Sequence, residues 1–215
     1  MSMKTTISVT CPYCQTVSEA EAWQSIDTST DPSLKEAVRQ KAVFRFCCPS
    51  CLEETLVDYG FLYHQPEDKW LIEYAPEDSA AQDFLNELSE EGDPLQQFVQ
   101  DGYLIRLVRT QNELVEKLLI FDAGLDDRLI EIYKVLVLLR YQETHKDIEA
   151  PALYFYAAPD KKPEIQVLVN DAYDCSTTIN PELYQDLQNR FGDRLTPINE
   201  DTPLINEQWA FSFLS

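Results

Sequence analysis

Hydrophobic and polar positions alternate at the start of the chain, take up a helical spacing in its middle, and alternate again after residue 150. The alternation over residues 5–25 predicts a β-hairpin, and residues 43–75 return to the two-residue period of strands. Residues 26–42 interrupt this pattern, with Asp31 as the expected N-cap and Pro32 as the first residue of a short helix. The N-terminal part is therefore predicted to be a β module with one helical insertion.

The middle of the chain predicts two consecutive helices. Thr110–Glu113 has the pattern of a capping box, and the helix that it begins is expected to end at Gly124. Asp126 is the expected cap of a second helix that continues to about residue 142. Apolar residues occupy too many sides of that second helix for a surface helix, so we expect it at the centre of a C-terminal domain, with a subunit interface as the alternative.

The last third of the chain predicts a small antiparallel sheet. Leu153–Tyr156 and Ile165–Val169 have the composition of a hairpin, and a third strand is expected at residues 175–179. A helix is expected from Asn180 to Gly192. The tail at Trp209–Phe213 alternates and is predicted to dock on the sheet. The whole pattern indicates an α+β protein.

An acidic stretch separates the two ends of this pattern. From Trp70 to Ile105 the sequence contains no Lys or Arg, and residues 76–79 and 90–94 contain helix breakers around a helical run at residues 80–88. We interpret the stretch as a solvated face; the alternative is a binding surface for a basic protein partner. The expected domains are residues 1–76, a linker with helical content at 77–102, and an α+β domain at 103–215.

Two cysteine knuckles carry the clearest chemical signal in the chain. Cys11-Pro12-Tyr13-Cys14 and Cys48-Pro49-Ser50-Cys51 each follow a short β-like run. Thiols in two C-x-x-C pairs match a closed tetrahedral zinc site, and proline after the first cysteine favours the tight turn. The sequence therefore predicts an N-terminal zinc-ribbon-like antiparallel module, with Cys11, Cys14, Cys48 and Cys51 as zinc ligands.

Three details of the knuckles bear on this prediction. Gln15 and Leu52 stand after the second cysteines, where such knuckles often carry glycine. The pairs are also further apart than the ~15–20 residues usual for this spacing, which requires an insertion. Cys47 offers an alternative partner for Cys51, and we prefer Cys48 because it preserves the C-P-x-C pattern.

A redox role is the alternative for the first knuckle. Cys-Pro-Tyr-Cys by itself is typical of glutaredoxins, whose first thiolate has a lowered pKa and whose motif is followed directly by a helix. The run from Gln15 to Trp23 instead alternates as a strand does, and its acidic residues disfavour a thiolate. The second knuckle has no purpose in that fold, so a structural metal is the preferred interpretation.

The first part of the chain resembles the CpXC-domain proteins of bacteria and archaea. The resemblance rests on the tandem C-P-x-C motifs, on Phe44-Arg45-Phe46 before the second knuckle, on Leu62-Tyr63-His64 after it, and on the insertion containing Ser25–Lys35. It covers roughly the first 75 residues, and Ile120–Arg128 is similar to longer members. It implies metal binding by the four knuckle cysteines and implies no enzymatic activity.

The net charge of the chain disfavours binding to nucleic acid and to anionic membranes. The 215-residue chain has a formal net charge of −21, which repels nucleic acid and anionic membranes. Arg39, Lys41 and Arg45 near the second knuckle are interpreted as a solvated face that balances nearby acids. A nucleic-acid-binding ribbon is therefore the weakest alternative, and a homodimer is an arrangement that the apolar central helix allows.

Cellular location follows from cysteine usage and from the N-terminus. Cysteines in metal spacing indicate a reducing compartment. Neither an apolar signal segment nor a run of ~18 apolar residues is seen, so we expect a cytoplasmic protein.

Outside the two cysteine knuckles, the sequence contains no recognisable enzyme motif. Asp122, Asp126 and Asp127 cluster between the two middle helices and could bind a hard cation, but acidic residues at a helix N-terminus are favoured by the helix dipole without any function. His64 is expected in a turn, and two histidines leave little for a histidine-based triad. No catalytic residue is predicted.

Overall fold

The structure is a computed structural model that describes residues 1–90, 92–148, 150–195 and 202–215. The chain forms two compact units, Met1–Val115 and Glu116–Ser215. Each combines helices with a sheet, which confirms the α+β class. None of the described helices is both long enough and apolar enough to cross a membrane.

The first unit is built on a mixed five-stranded sheet. Its strands, in spatial order, are β1 (Met3–Thr10), β2 (Val17–Asp27), β5 (Phe61–Gln65), β6 (Trp70–Tyr74) and β7 (Leu104–Val108). The pairs β1–β2 and β5–β6 are antiparallel, whereas β2–β5 and β6–β7 are parallel, so the sheet is not purely antiparallel.

A second, two-stranded sheet holds the other knuckle. Its strands are β3 (Arg45–Cys47) and β4 (Glu54–Leu56), which pair only with each other. A 3-10 turn at Ala42–Phe44 precedes β3 and buries Phe44 against the aromatic rings of Phe61 and Tyr74. Phe44 therefore packs the open end of the β3–β4 hairpin against the main core, whereas the knuckle at the other end is not held by this contact.

Two helices occupy the acidic stretch. They are α2 (Asp78–Ser89) and α3 (Pro94–Gln100), and the second was not predicted. Asp93 caps α3 by accepting the N–H of Leu95 at 2.8 Å. The apolar residues Ala81, Phe84 and Leu95 are buried, and β7 then pairs with β6. The expected boundaries at residues 76 and 102 both fall inside the first unit.

The insertion contains the expected short helix, α1 (Ser33–Arg39), but its start differs from the prediction. Pro32 occupies the cap position, and no side chain caps the helix. Asp31 contributes only its main-chain carbonyl, which accepts the N–H of Leu34 at 3.0 Å.

The two middle helices begin and end as predicted. They are α4 (Gln111–Asp122) and α5 (Asp127–Thr144). Thr110 Oγ1 accepts the Glu113 N–H at 3.1 Å, and Glu113 Oε2 accepts the Thr110 N–H at 3.2 Å, which confirms the capping box. Gly124 ends α4 with a left-handed φ of 67°, and the carboxylate of Asp126 caps α5.

The second unit packs α5 against a three-stranded antiparallel sheet and two helices, as expected of a central helix. Its remaining elements are β8 Ala152–Tyr156, β9 Glu164–Val169, β10 Ala172–Thr178, α6 Pro181–Phe191 and α7 Glu207–Leu214.

The alternation of the tail does not correspond to a strand, because the tail forms the helix α7. Asn206 Oδ1 accepts the Trp209 N–H at 3.0 Å and caps the helix. The rings of Trp209 and Phe213 stack at 5.2 Å, as side chains four residues apart do on a helix. The helical spacing of Trp209 and Phe213, together with the Asn206 cap, therefore decides the structure of the tail, although the same residues also alternate as in a strand.

Charged side chains also lie inside the second unit. Lys117 Nζ lies 3.0 Å from Asp127 Oδ2, and Lys134 Nζ lies 3.1 Å from Glu116 Oε1. Glu131 contacts both lysines, and all five side chains are buried. The ion pairs compensate the cost of burying these charges.

Candidate metal centre

The two knuckles have the same main-chain geometry. The Cys11 carbonyl accepts the Gln15 N–H at 2.9 Å, and the Cys11 N–H donates to the Thr16 carbonyl at 3.0 Å. In the second knuckle the Cys48 carbonyl accepts the Leu52 N–H at 2.9 Å. The Cys48 N–H donates to the Glu53 carbonyl at 2.9 Å. Each hairpin therefore ends in the same turn and presents its two thiols in the same way.

The absence of glycine does not prevent this turn. Gln15 and Leu52 both adopt the left-handed main-chain conformation for which glycine is usually chosen. The Gln15 amide group additionally donates to the Pro12 carbonyl at 3.1 Å, across its own knuckle.

The four predicted cysteines lie together. The sulfur atoms of Cys11, Cys14, Cys48 and Cys51 are all within 4.8 Å of one another. Sγ–Sγ distances are 3.7 Å for Cys11–Cys51 and 3.7 Å for Cys14–Cys48. Four thiolates at about 2.3 Å from a zinc ion would be about 3.8 Å apart in a regular tetrahedron. Both the donor set and the spacing fit a tetrahedral metal ion.

Cys47 is not part of this cluster. Its side chain is exposed, and its Sγ lies 3.7 Å from the carbonyl oxygen of Leu52. In strand β3 successive side chains point to opposite faces, so Cys47 points away when Phe46 is buried. The preference for Cys48 over Cys47 therefore agrees with the geometry.

A small apolar cluster supports the site. Val9 and Phe46 are buried beside Cys11 and Cys48, both of which have no exposed surface. Ile7, Ala20 and Val57 pack around them. Cys14 is exposed and Cys51 is half-buried, so one side of the thiol cluster faces solvent.

Without a metal, hydrogen bonds, burial and crowding give two of the thiols very different pKa values. The Thr16 hydroxyl and N–H groups hydrogen-bond to the Cys14 sulfur and lower the pKa of that thiol to about 6. At Cys51 the Glu53 N–H favours the thiolate, but burial and the neighbouring thiols outweigh it and raise the pKa to about 12. Closely spaced thiols cannot all ionise without a compensating cation.

The glutaredoxin arrangement is not found in this part of the fold. Strand β2 begins at Val17, directly after the first knuckle, and residues 15–27, all described, contain no helix. Cys11, the thiol that would attack in such a motif, is buried. Both observations disfavour thiol exchange at Cys11 and Cys14.

The other candidate ligands are not members of the thiol cluster. His64 is in strand β5 and not in a turn, with its Nδ1 atom 3.5 Å from Asp27 Oδ2 and its Nε2 atom 3.3 Å from the Tyr103 hydroxyl. Asp126 caps α5 and pairs with Arg128, whereas Asp127 pairs with Lys117. Among the described residues, no other group of three or more Cys, His, Asp or Glu side chains is arranged to hold a metal ion.

Sequence reasoning missed two features near these residues. The role of Thr16 as a partner of Cys14 could have been found, because it stands two residues after that cysteine. The buried ion pairs of Lys117 and Lys134 had no signal in the sequence, since charged residues on a helix usually face solvent.

Fold and site together define a protein with a metal-binding-capable four-cysteine cluster held by two β-hairpins. The model of the family described as "CpXC protein" matches residues 9–134, and the chain belongs to this family. The match continues through α4 and into α5, well beyond the part of the chain that carries the knuckles. Comparison with curated proteins and with solved structures gives no match.

Proposed function

We propose that the chain is a zinc-binding protein whose four-thiolate site is structural and holds together a module for binding other molecules. The observation that carries this proposal is the closed cluster of four sulfur atoms, all within 4.8 Å of one another. Zinc is the expected metal because it favours four thiolates in a tetrahedron. With four protein ligands no coordination position is left for a substrate, which favours a structural role over a catalytic one.

The weakness of the second hairpin explains why a metal is needed. Strands β3 and β4 have three residues each and pair only with each other. A two-stranded hairpin of this size has little stability of its own in water. Zinc would tie its tip, through Cys48 and Cys51, to the longer β1–β2 hairpin through Cys11 and Cys14. Metal-binding energy would then be folding energy for this part of the unit.

Elemental analysis of the protein purified with reductant tests this proposal. We expect about one zinc per chain and a large fall in thermal midpoint when a strong chelator removes it. Cys48→Ser should lose the metal, whereas Cys47→Ser, a matched change one residue away, should retain it. Absence of metal, together with a reversible Cys11–Cys14 disulfide, would replace the proposal with thiol–disulfide exchange.

The location and partners that we propose follow from the free thiols and the charge. Four thiols held for a metal suit a reducing compartment, and we place the protein in the cytoplasm. A basic protein partner would bind the acidic surface around α2, whereas nucleic acid and anionic membranes would be repelled by the net charge of −21. Elution from heparin at low salt is the expected result; retention to high salt would favour nucleic-acid binding.

A further inference from the structure

A cavity of about 480 Å³ lies within the second unit, between α5, β9, β10 and α6. Its apolar walls are formed by Leu136, Val137, Val167 and Leu183. The volume is in the range of small-molecule sites, which are concave, mostly apolar and provided with a few polar groups. All lining residues except Tyr133 come after residue 134, where the family match ends, so the cavity is not a feature of the matched family region.

Hydrogen bonds between the surrounding elements fix the shape of the cavity. The Tyr133 hydroxyl on α5 accepts the Asn180 N–H at 3.1 Å, at the start of α6. The Tyr141 hydroxyl, two turns further along α5, donates to Asp174 Oδ2 on β10 at 3.0 Å. Because both tyrosines line the cavity and both are anchored, α5 is held at two points against the elements opposite it. The cavity is therefore formed before any ligand enters.

Arg140 gives the cavity a cationic group. It is the one Lys or Arg among the described residues that line the cavity, and no described residue forms a hydrogen bond or ion pair with it. A guanidinium group binds a carboxylate through two parallel hydrogen bonds. An arginine beside an apolar wall is thus suited to a ligand with a carboxylate at one end.

We propose that this cavity binds a small monocarboxylate with an aromatic or branched aliphatic body, and that Arg140 holds the carboxylate. Two negative groups limit the charge of the ligand: Glu143 also lines the cavity, and Asp174 lies behind Tyr141. The net charge of −21 further disfavours phosphates and dicarboxylates. The proposal is independent of the metal site, which is built from residues of the first unit.

Three probes of the same shape and different charge test the proposal on the full chain. They are 3-phenylpropionate, 3-phenylpropan-1-ol and 3-phenylpropylamine, followed by NMR of labelled leucine and valine methyl groups. We expect 3-phenylpropionate to shift the methyl signals of Leu136, Val137, Val167 and Leu183 with a Kd in the ~millimolar range, as its size allows. The alcohol should bind about tenfold more weakly and the amine more weakly still, because both lack the charge-assisted hydrogen bonds.

Two substitutions test whether Arg140 holds the carboxylate of 3-phenylpropionate. Arg140 is exposed, so Arg140→Gln should leave the fold intact and weaken the binding of 3-phenylpropionate about tenfold while leaving the alcohol unchanged. Lys162→Gln makes the same charge change at an exposed site outside the cavity and should change neither. Equal binding of all three probes, an unchanged affinity in Arg140→Gln, or no shift of these signals at ~10 mM probe would overturn the proposal.

A second copy of the chain is the competing occupant, because Leu136 and Leu139 on α5 are exposed. Sedimentation velocity distinguishes self-association through this face from the binding of a small ligand. A monomer at the NMR concentration supports the small-ligand proposal. A dimer that Leu139→Asp dissociates, combined with no response to 3-phenylpropionate, would assign this face to self-association and overturn it.

Discussion

Gln15 and Leu52 occupy equivalent positions in the two knuckles and have nearly the same left-handed main-chain conformation, with φ angles of 62° and 64°. Each donates its N–H to the carbonyl of the first cysteine of its own knuckle. A side chain in this conformation is strained by about 1–2 kcal/mol, because its Cβ approaches the neighbouring carbonyl oxygen. The chain accepts this strain twice at the same place, where it brings the four thiols together.

Leu52→Gly should therefore stabilise the zinc-loaded protein. Leu52 is 74% exposed, so its side chain contributes little packing. Glycine removes the left-handed strain, and after its own entropy cost we expect a gain of about 0.5–1 kcal/mol in the free energy of unfolding, measured in urea. Leu56→Gly is the matched control, because Leu56 is also exposed but lies in strand β4, where glycine should destabilise. Loss of stability in both variants would contradict the assignment of strain to Leu52.

Cys47 should be the first thiol to react with iodoacetamide in the zinc-loaded protein. It is exposed and outside the cluster, whereas metal coordination would protect the four cluster thiols. Burial, followed by the contact with Asp174, raises the pKa of Cys175, which should slow its reaction. Peptide mass spectrometry over time should show Cys47, then Cys175, with the rest reacting only after chelation. Early labelling of Cys48 would contradict the proposed ligand set.

Lys117→Met should strongly destabilise the second unit. Lys117 lies between the carboxylates of Asp127 and Glu131, and all three groups are buried. Removing the cation leaves uncompensated buried negative charge, which typically costs about 3–5 kcal/mol. Lys162→Met, the same change at an exposed position, should cost less than about 0.5 kcal/mol. Equal urea midpoints for the two variants would show that Lys117 does not neutralise these carboxylates.

Glu73 should make the first unit less stable as the pH rises. Burial, with added repulsion from Glu87, raises the pKa of Glu73 from 4.5 to about 7 in the folded protein. The folded state then holds a proton that the unfolded state has lost, so stability falls between about pH 4.5 and about pH 7 and is level above that.

Glu73→Gln should remove this pH dependence and stabilise the protein at about pH 8 by roughly 2 kcal/mol or less, since Glu73 is only partly buried. Comparing the variant with the parent at each pH cancels the contribution of the metal site. Glu87→Gln should lower the pKa of Glu73, which ¹³C NMR of its carboxyl carbon can measure directly. A Glu73 carboxyl that titrates at its ordinary value would contradict the argument.

Helix starts and ends could be predicted from the sequence where the capping interaction joins residues that are close together in the chain. The Thr110–Glu113 capping box, the left-handed Gly124 and the Asp126 cap are all as expected, because each is satisfied by main-chain groups of its own turn. The tail shows the limit of this approach. Trp209–Phe213 fits both a strand and a helix, and the Asn206 cap together with the stacking of Trp209 on Phe213 selects the helix.

The candidate metal site was predictable from the sequence, because the spacing and the proline of each knuckle act within a few residues. Whether Cys47 or Cys48 joins the cluster depends on which face of β3 turns inward, and this is a property of the folded protein. The tertiary structure also decided that the acidic stretch becomes two packed helices before β7 joins β6, and that Lys117 and Lys134 are buried. Pairings between distant strands and helices depend on the shape of the whole core, and no short stretch of sequence carries that information.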